Sequence, residues 1–100
     1  MNRITINGNE YPCYQTMGAM RRFRRLTGRE ITEVQVTEAS AMADYMYCCC
    51  AAASAAEHIE FNYSIDDFAD LITLDVMKAW SQSIATEATE GEDAAAQKKS

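Results

Sequence analysis

Around a turn signal in the first fourteen residues, apolar and polar positions alternate. Ile4 and Ile6 fall on one face of Arg3-Ile4-Thr5-Ile6, with Arg3 and Thr5 on the other, and Asn7-Gly8 separates this run from Glu10-Tyr11-Pro12-Cys13-Tyr14. Asn and Gly both tolerate the positive φ angles of a tight turn, so the pattern predicts a β-hairpin over about residues 3–14. Two strands alone are marginal in water. The hairpin therefore needs helices from later in the chain to cover its apolar face.

Beyond the hairpin the period changes from two to between three and four. Thr16 is placed to cap a helix over 17–27 that Gly28 ends; Ala19, Met20, Phe23 and Leu26 share its apolar face, and Arg21, Arg22, Arg24, Arg25 and Arg29 take the rest. Phe23 belongs to that stripe and so is expected to point inward. Residues 29–36 show no clear period and form a connector. Thr37 offers a cap, and Glu38 a first-turn acid, for a long helix over about 38–56 whose main stripe is Met42, Tyr45, Met46, Cys49, Ala53 and Ala56. From Cys48 to Ala56 every residue is Cys, Ala or Ser. Such a stretch has no polar face and calls for burial on several sides, inside the fold or against another subunit.

Ile59, Phe61 and Tyr63 alternate in the segment that follows, as in a short extended piece. Ser64 with Asp67 marks the start of a short helix over 65–72, bearing Ile65, Phe68, Leu71 and Ile72. Thr73 is placed to cap a last helix over 74–86, where Val76, Met77, Trp80 and Ile84 recur at helical spacing. From Glu87 nothing large remains to bury, and a disordered tail over 87–100 is expected. The predicted fold class is α+β, mostly α: one domain over 1–86, an N-terminal β-hairpin packed on a bundle of about four helices.

Composition agrees with a single soluble domain: 100 residues, 48% apolar and 24% charged. The formal charge of −6 is unevenly spread. Residues 1–30 hold six Arg and two Glu, a balance of +4, whereas residues 31–100 hold three Lys and thirteen acids, a balance of −10. That asymmetry favours contact between the two regions or separate partners for each, and the overall acidity argues against a generic nucleic-acid binder. No stretch approaches the roughly 18–20 apolar residues that cross a bilayer, and the N-terminus lacks the order of a signal peptide, so a cytoplasmic protein with no membrane partner is expected.

Little in the chain points to bond chemistry. Cys48, Cys49 and Cys50 are consecutive, a poor geometry for mutual bridging on a helix, and with no Cys-x-x-Cys pair and His58 as the sole histidine a zinc site lacks its ligand spacing. Asp66, Asp67, Asp70 and Asp75 do not follow the calcium-loop pattern and are expected as helix-starting and surface acids. His58 lacks an adjacent nucleophile motif, Cys13 is expected as a packed strand residue, and no glycine-rich phosphate loop is present. No catalytic residue, cofactor or metal is therefore assigned. The arginines remain, and with Phe23 on the inward stripe rather than free to stack on a base, a solvated or protein-contacting face is favoured over nucleic acid.

The stretch Ile4-Thr5-Ile6-Asn7-Gly8-Asn9-Glu10-Tyr11-Pro12, then Thr16-Met17-Gly18-Ala19-Met20-Arg21-Arg22-Phe23 and Leu26-Thr27-Gly28, resembles the opening of tail assembly chaperones of long-tailed bacteriophages and related prophages. Phe68-Ala69-Asp70-Leu71-Ile72 and Met77-Lys78-Ala79-Trp80 fit the same layout, so the resemblance covers roughly residues 2–86. It implies a non-enzymatic assembly factor that binds and solubilises the tape measure protein and helps recruit tail tube subunits. It also implies, for many members, an extended form made by ribosomal frameshifting, with which the adjacent Lys98-Lys99 is compatible. On this basis the expected partner surface is Arg21, Arg22, Arg24 and Arg25 together with the exposed part of the Met42, Tyr45, Met46 and Cys49 stripe. Self-association is an open expectation. The alternatives are a small DNA-binding regulator using the Arg21–Arg25 helix and a structural head or tail completion protein.

Overall fold

Strands β1 (Arg3–Ile6) and β2 (Asn9–Pro12) pair antiparallel, with Ile4 opposite Tyr11 and Ile6 opposite Asn9. Asn7 and Gly8 make the turn at φ 52° and 80°, the left-handed region that this residue pair was expected to supply. The alternation holds, since Ile4 and Ile6 are buried while Arg3 and Thr5 are exposed. Pairing continues one step past the strands, where the Cys13 amide donates to the Asn2 carbonyl oxygen at 2.7 Å. This computed structural model describes residues 2–84.

Four α-helices follow: α1 (Met17–Thr27), α2 (Ala39–Ala56), α3 (Ile65–Leu71) and α4 over residues 74–84. The class is thus α+β, mostly α, with the hairpin leading. The start of α1 is fixed by the Thr16 hydroxyl, which accepts from the Ala19 amide at 3.0 Å, and its end by Gly28 at φ 78°. Ser64 caps α3 by accepting from the Asp67 amide at 3.1 Å, and Thr73 caps α4 by accepting from the Val76 amide at 3.2 Å. The tail expected over 87–100, and the last two residues of the expected final helix, lie outside the described residues.

One local expectation is corrected. Thr37 does not cap α2; the helix begins at Ala39 with Glu38 at its N-cap, and that carboxylate faces back to take the Arg29 guanidinium at 2.9 and 3.1 Å. The connector, expected to hold some local helix or extended structure, has a single 3-10 turn at Ile31–Glu33 closed by a reciprocal cap between Glu30 and Glu33. Ile59, Phe61 and Tyr63 lie in a loop, as expected of this irregular segment; Phe61 meets Tyr11 of the hairpin and Phe68 of α3 edge-on and Tyr47 of α2 at a tilt, and Tyr63 meets Tyr11 edge-on.

The core is built around α2. Met42, Tyr45, Met46, Cys48, Cys49, Cys50, Ala52, Ala53 and Ser54 are all buried, so most of the small-residue stretch is enclosed by the chain's own elements, whereas Ala51 is half-buried and Ala55 and Ala56, the latter expected on the main stripe, are exposed at the helix end. Ile4, Ile6 and Cys13 reach it from the hairpin, Ala19 and Phe23 from α1, Phe68 from α3, and Met77, Trp80 and Ile84 from α4. At roughly 25 cal/mol per Å² of apolar surface withdrawn from water, this shared burial supplies the stability that a lone hairpin lacks. All four cysteines are free thiols.

Candidate partner-binding surface

Two halves of the expected partner surface have different fates. Met42, Tyr45, Met46 and Cys49 are 5% exposed or less and form the centre of the core, so they present no face to a partner. The physical reason is that α1 and α4 close on this stripe from two sides. Phe23 meets the Tyr45 ring edge-on at 5.6 Å between centroids, and Trp80 lies 6.0 Å from it. The Tyr45 hydroxyl escapes to the rim and donates to Gln15 Oε1 at 2.7 Å.

The arginine half remains on the surface. Arg21, Arg24 and Arg25 are exposed and Arg22 is half-buried. Arg24 pairs with Glu30 at 2.7 Å. Arg22 donates to the Gly18 carbonyl oxygen one turn back at 3.3 Å, and neither it nor Arg21 or Arg25 meets a carboxylate among the described residues. Three guanidinium charges on adjacent turns of one helix therefore have no carboxylate partner among the described residues.

Apolar groups stand among these charges. Leu26, expected on the inward stripe with Phe23, is instead 49% exposed, because its position lies at the border of the buried face rather than at its centre. Met17, at the start of α1, is 70% exposed. Beside Leu26, the packing of α1 on α2 leaves a groove of about 420 Å³ lined by Arg22, Arg25, Leu26, Tyr47, Cys48 and Ala51. On the other flank of α1 an open cleft is lined by Met17, Met20, Arg21, Arg24, Arg25 and Glu30. The helix is a ridge with arginines along its crest, a largely apolar groove on the α2 side and, on the other, a mainly charged cleft that holds Met17 and Met20.

Burial holds the thiols beneath this surface in their protonated form. Cys48, at the floor of the groove, has its thiol pushed up to about 11, first by burial and then by the Asp44 carboxylate. Burial raises Cys13 and Cys49 further still, which keeps them protonated and unreactive. His58 stands exposed just past α2 at φ 58°, where the chain reverses. Among the described residues no group of three or more His, Cys, Asp or Glu side chains is placed to hold a metal ion, and no helix is long and apolar enough to cross a membrane.

Tyr47 and Ala51 of the groove were not expected as surface residues. The signal that brings them there is the docking of α1 on α2, a long-range contact that no local period encodes. Neither protein-family models, curated proteins nor solved structures gave a match to this chain.

Proposed function

We propose that this protein is a tail assembly chaperone of the long-tailed phage type, which binds and solubilises the tape measure protein and helps recruit tail tube subunits during tail morphogenesis. The observation that carries this reading is the resemblance of residues 4–12, 16–23 and 26–28 to the opening of that family. Those same segments build the hairpin and α1, the helix whose unneutralised arginines stand beside exposed apolar groups.

The physical task suits such a surface. A tape measure helix awaiting its tube exposes apolar side chains that would otherwise aggregate. A small partner that covers them, and whose own charge of −6 is carried on its remaining surface, keeps the complex dispersed by repulsion. The buried Met42–Cys49 stripe has no part in capture, which leaves α1 and its flanking grooves.

Co-expression tests this function. The tape measure protein encoded in the same genome should stay soluble and copurify when this chain is present, and precipitate when it is absent. A tape measure protein that is equally insoluble with and without the chain removes the chaperone reading.

A further inference from the structure

The groove between α1 and α2 has a lip of charge and a floor of apolar atoms, and none of the described residues fills it. Leu26, Tyr47, Cys48 and Ala51 make the floor, Arg22 and Arg25 the lip, and Arg21 sits four residues before Arg25 on the adjoining crest. A buried or half-covered guanidinium gains most from a carboxylate that it can hold in its fork. We propose that this groove receives an amphipathic α-helix of the escorted protein, and that acidic side chains flanking that helix's apolar stripe pair with Arg21, Arg22 and Arg25. This rests on the chaperone reading for the identity of the partner, but the chemistry of the groove is independent of it.

Charge complementarity and length both favour this occupant. Among the described residues the lip offers three unmatched positive charges, while the other arginines, Arg3, Arg24 and Arg29, already have carboxylates at 3.1, 2.7 and 2.9 Å. An 11-residue helix is about 16 Å long, so α1 can lie against about three turns of a partner helix. A second copy of the chain is a poorer match. Its exposed acids Asp66, Asp67 and Asp70 sit on a seven-residue helix of about 10 Å, and the exposed Leu74 and Val76 stand with the single acid Asp75 in the first turn of α4, so neither helix presents three turns of apolar stripe flanked by acids.

The acids of the partner serve two purposes. They fix its register, since a helix shifted by a turn would lose its ion pairs, and they exclude basic amphipathic helices by repulsion. The apolar stripe supplies the affinity.

Calorimetric titration of the full chain with three synthetic helical peptides tests the assignment. One carries a Leu stripe flanked by Glu, the second the same stripe flanked by Lys, and the third the Glu flanks with the stripe changed to Gln. The first should bind roughly tenfold or more tightly than either other, the scale that a few rim ion pairs supply. The R21E/R25E variant should reverse the preference and favour the Lys-flanked peptide, while Leu26→Asp should weaken the first peptide by a similar factor. Both variants alter exposed positions, and an unchanged helical circular dichroism spectrum confirms that they fold. Equal binding of the Glu-flanked and Lys-flanked peptides, or indifference to R21E/R25E, overturns the proposal. So does duplex DNA binding as tightly as the Glu-flanked peptide, which would assign the arginines to phosphate, or light scattering that shows a dimer dispersed by Leu26→Asp. Selective binding of the first peptide without any effect on tape measure solubility would uphold the groove and remove the chaperone reading.

Discussion

The indole Nε1 of Trp80 donates a 2.9 Å hydrogen bond to the carbonyl oxygen of Cys13, and both residues are completely buried. One bond thus ties the residue after the hairpin to the last described helix, across 67 positions of sequence. Trp80 is also the largest apolar group in the core, so its burial and its polar handle are satisfied by the same pose.

Trp80→Phe keeps most of the ring volume and removes the donor. The Cys13 carbonyl is then left without its partner in a dry site, a loss of about 1–3 kcal/mol. Urea denaturation followed by circular dichroism should show the midpoint falling with the slope unchanged. A midpoint equal to that of the parent chain would mean that water reaches the carbonyl.

Arg29 and Glu38 give a pH signature. The Arg29 guanidinium and the Gln35 amide hold the Glu38 carboxyl at about 2, below its ordinary value of 4.5. Because the folded value is the lower one, the stabilisation is complete above the unfolded value and is lost as pH falls from 4.5 towards 2. Glu38→Gln should therefore be less stable than the parent chain near neutrality, and the two thermal midpoints should converge in acid. Parallel curves across that window would remove the pair from the account of acid sensitivity.

Gly28 closes α1 at φ 78°, and a Cβ placed there would meet nothing within 4 Å. Gly28→Ala should thus cost about 1 kcal/mol through backbone conformation alone, and Gly28→Asn less, since Asn tolerates the left-handed region. Thermal unfolding of the two variants separates them. An alanine as stable as the parent would mean that the cap relaxes to another geometry.

The four thiols should be silent in the native protein. Burial raises Cys13, Cys48 and Cys49, and all four are enclosed, so a thiol reagent at mild alkaline pH should label none of them until denaturant is added and then label all. Cys49→Ala should be tolerated better than Cys49→Ser, whose hydroxyl would cost about 1–3 kcal/mol in an apolar site. Mass spectrometry of the labelled chain and denaturation of the two variants check both statements.

Where a short motif has a local mechanism, the chain could be read directly. Asn7-Gly8, Thr16, Gly28, Ser64 and Thr73 each act through atoms within four residues, and each performs the expected turn or cap. Leu26 and the Met42–Cys49 stripe show where that logic stops. Periodicity shows which side of a helix is apolar, but the element that covers it comes from far along the chain. Leu26 is left out because α1 rests on α2 through Ala19 and Phe23, and the stripe is closed over by Phe23 and Trp80. The Glu30–Glu33 cap was missed because a three-residue turn has no period to detect. Likewise, the arginine positions of the candidate groove could be read from the sequence, whereas Tyr47 and Ala51 become its floor only once two helices pack.

The hairpin precedes the four helices in the chain, and the side chains that complete its core come last among the described residues. Ile4 and Ile6 share that core with Trp80 and Ile84, so a nascent chain cannot close it until α4 has left the exit tunnel. Acquisition of the native state is therefore postponed until nearly the whole domain has been synthesised, and a truncation before residue 80 would release a polypeptide that itself needs an escort.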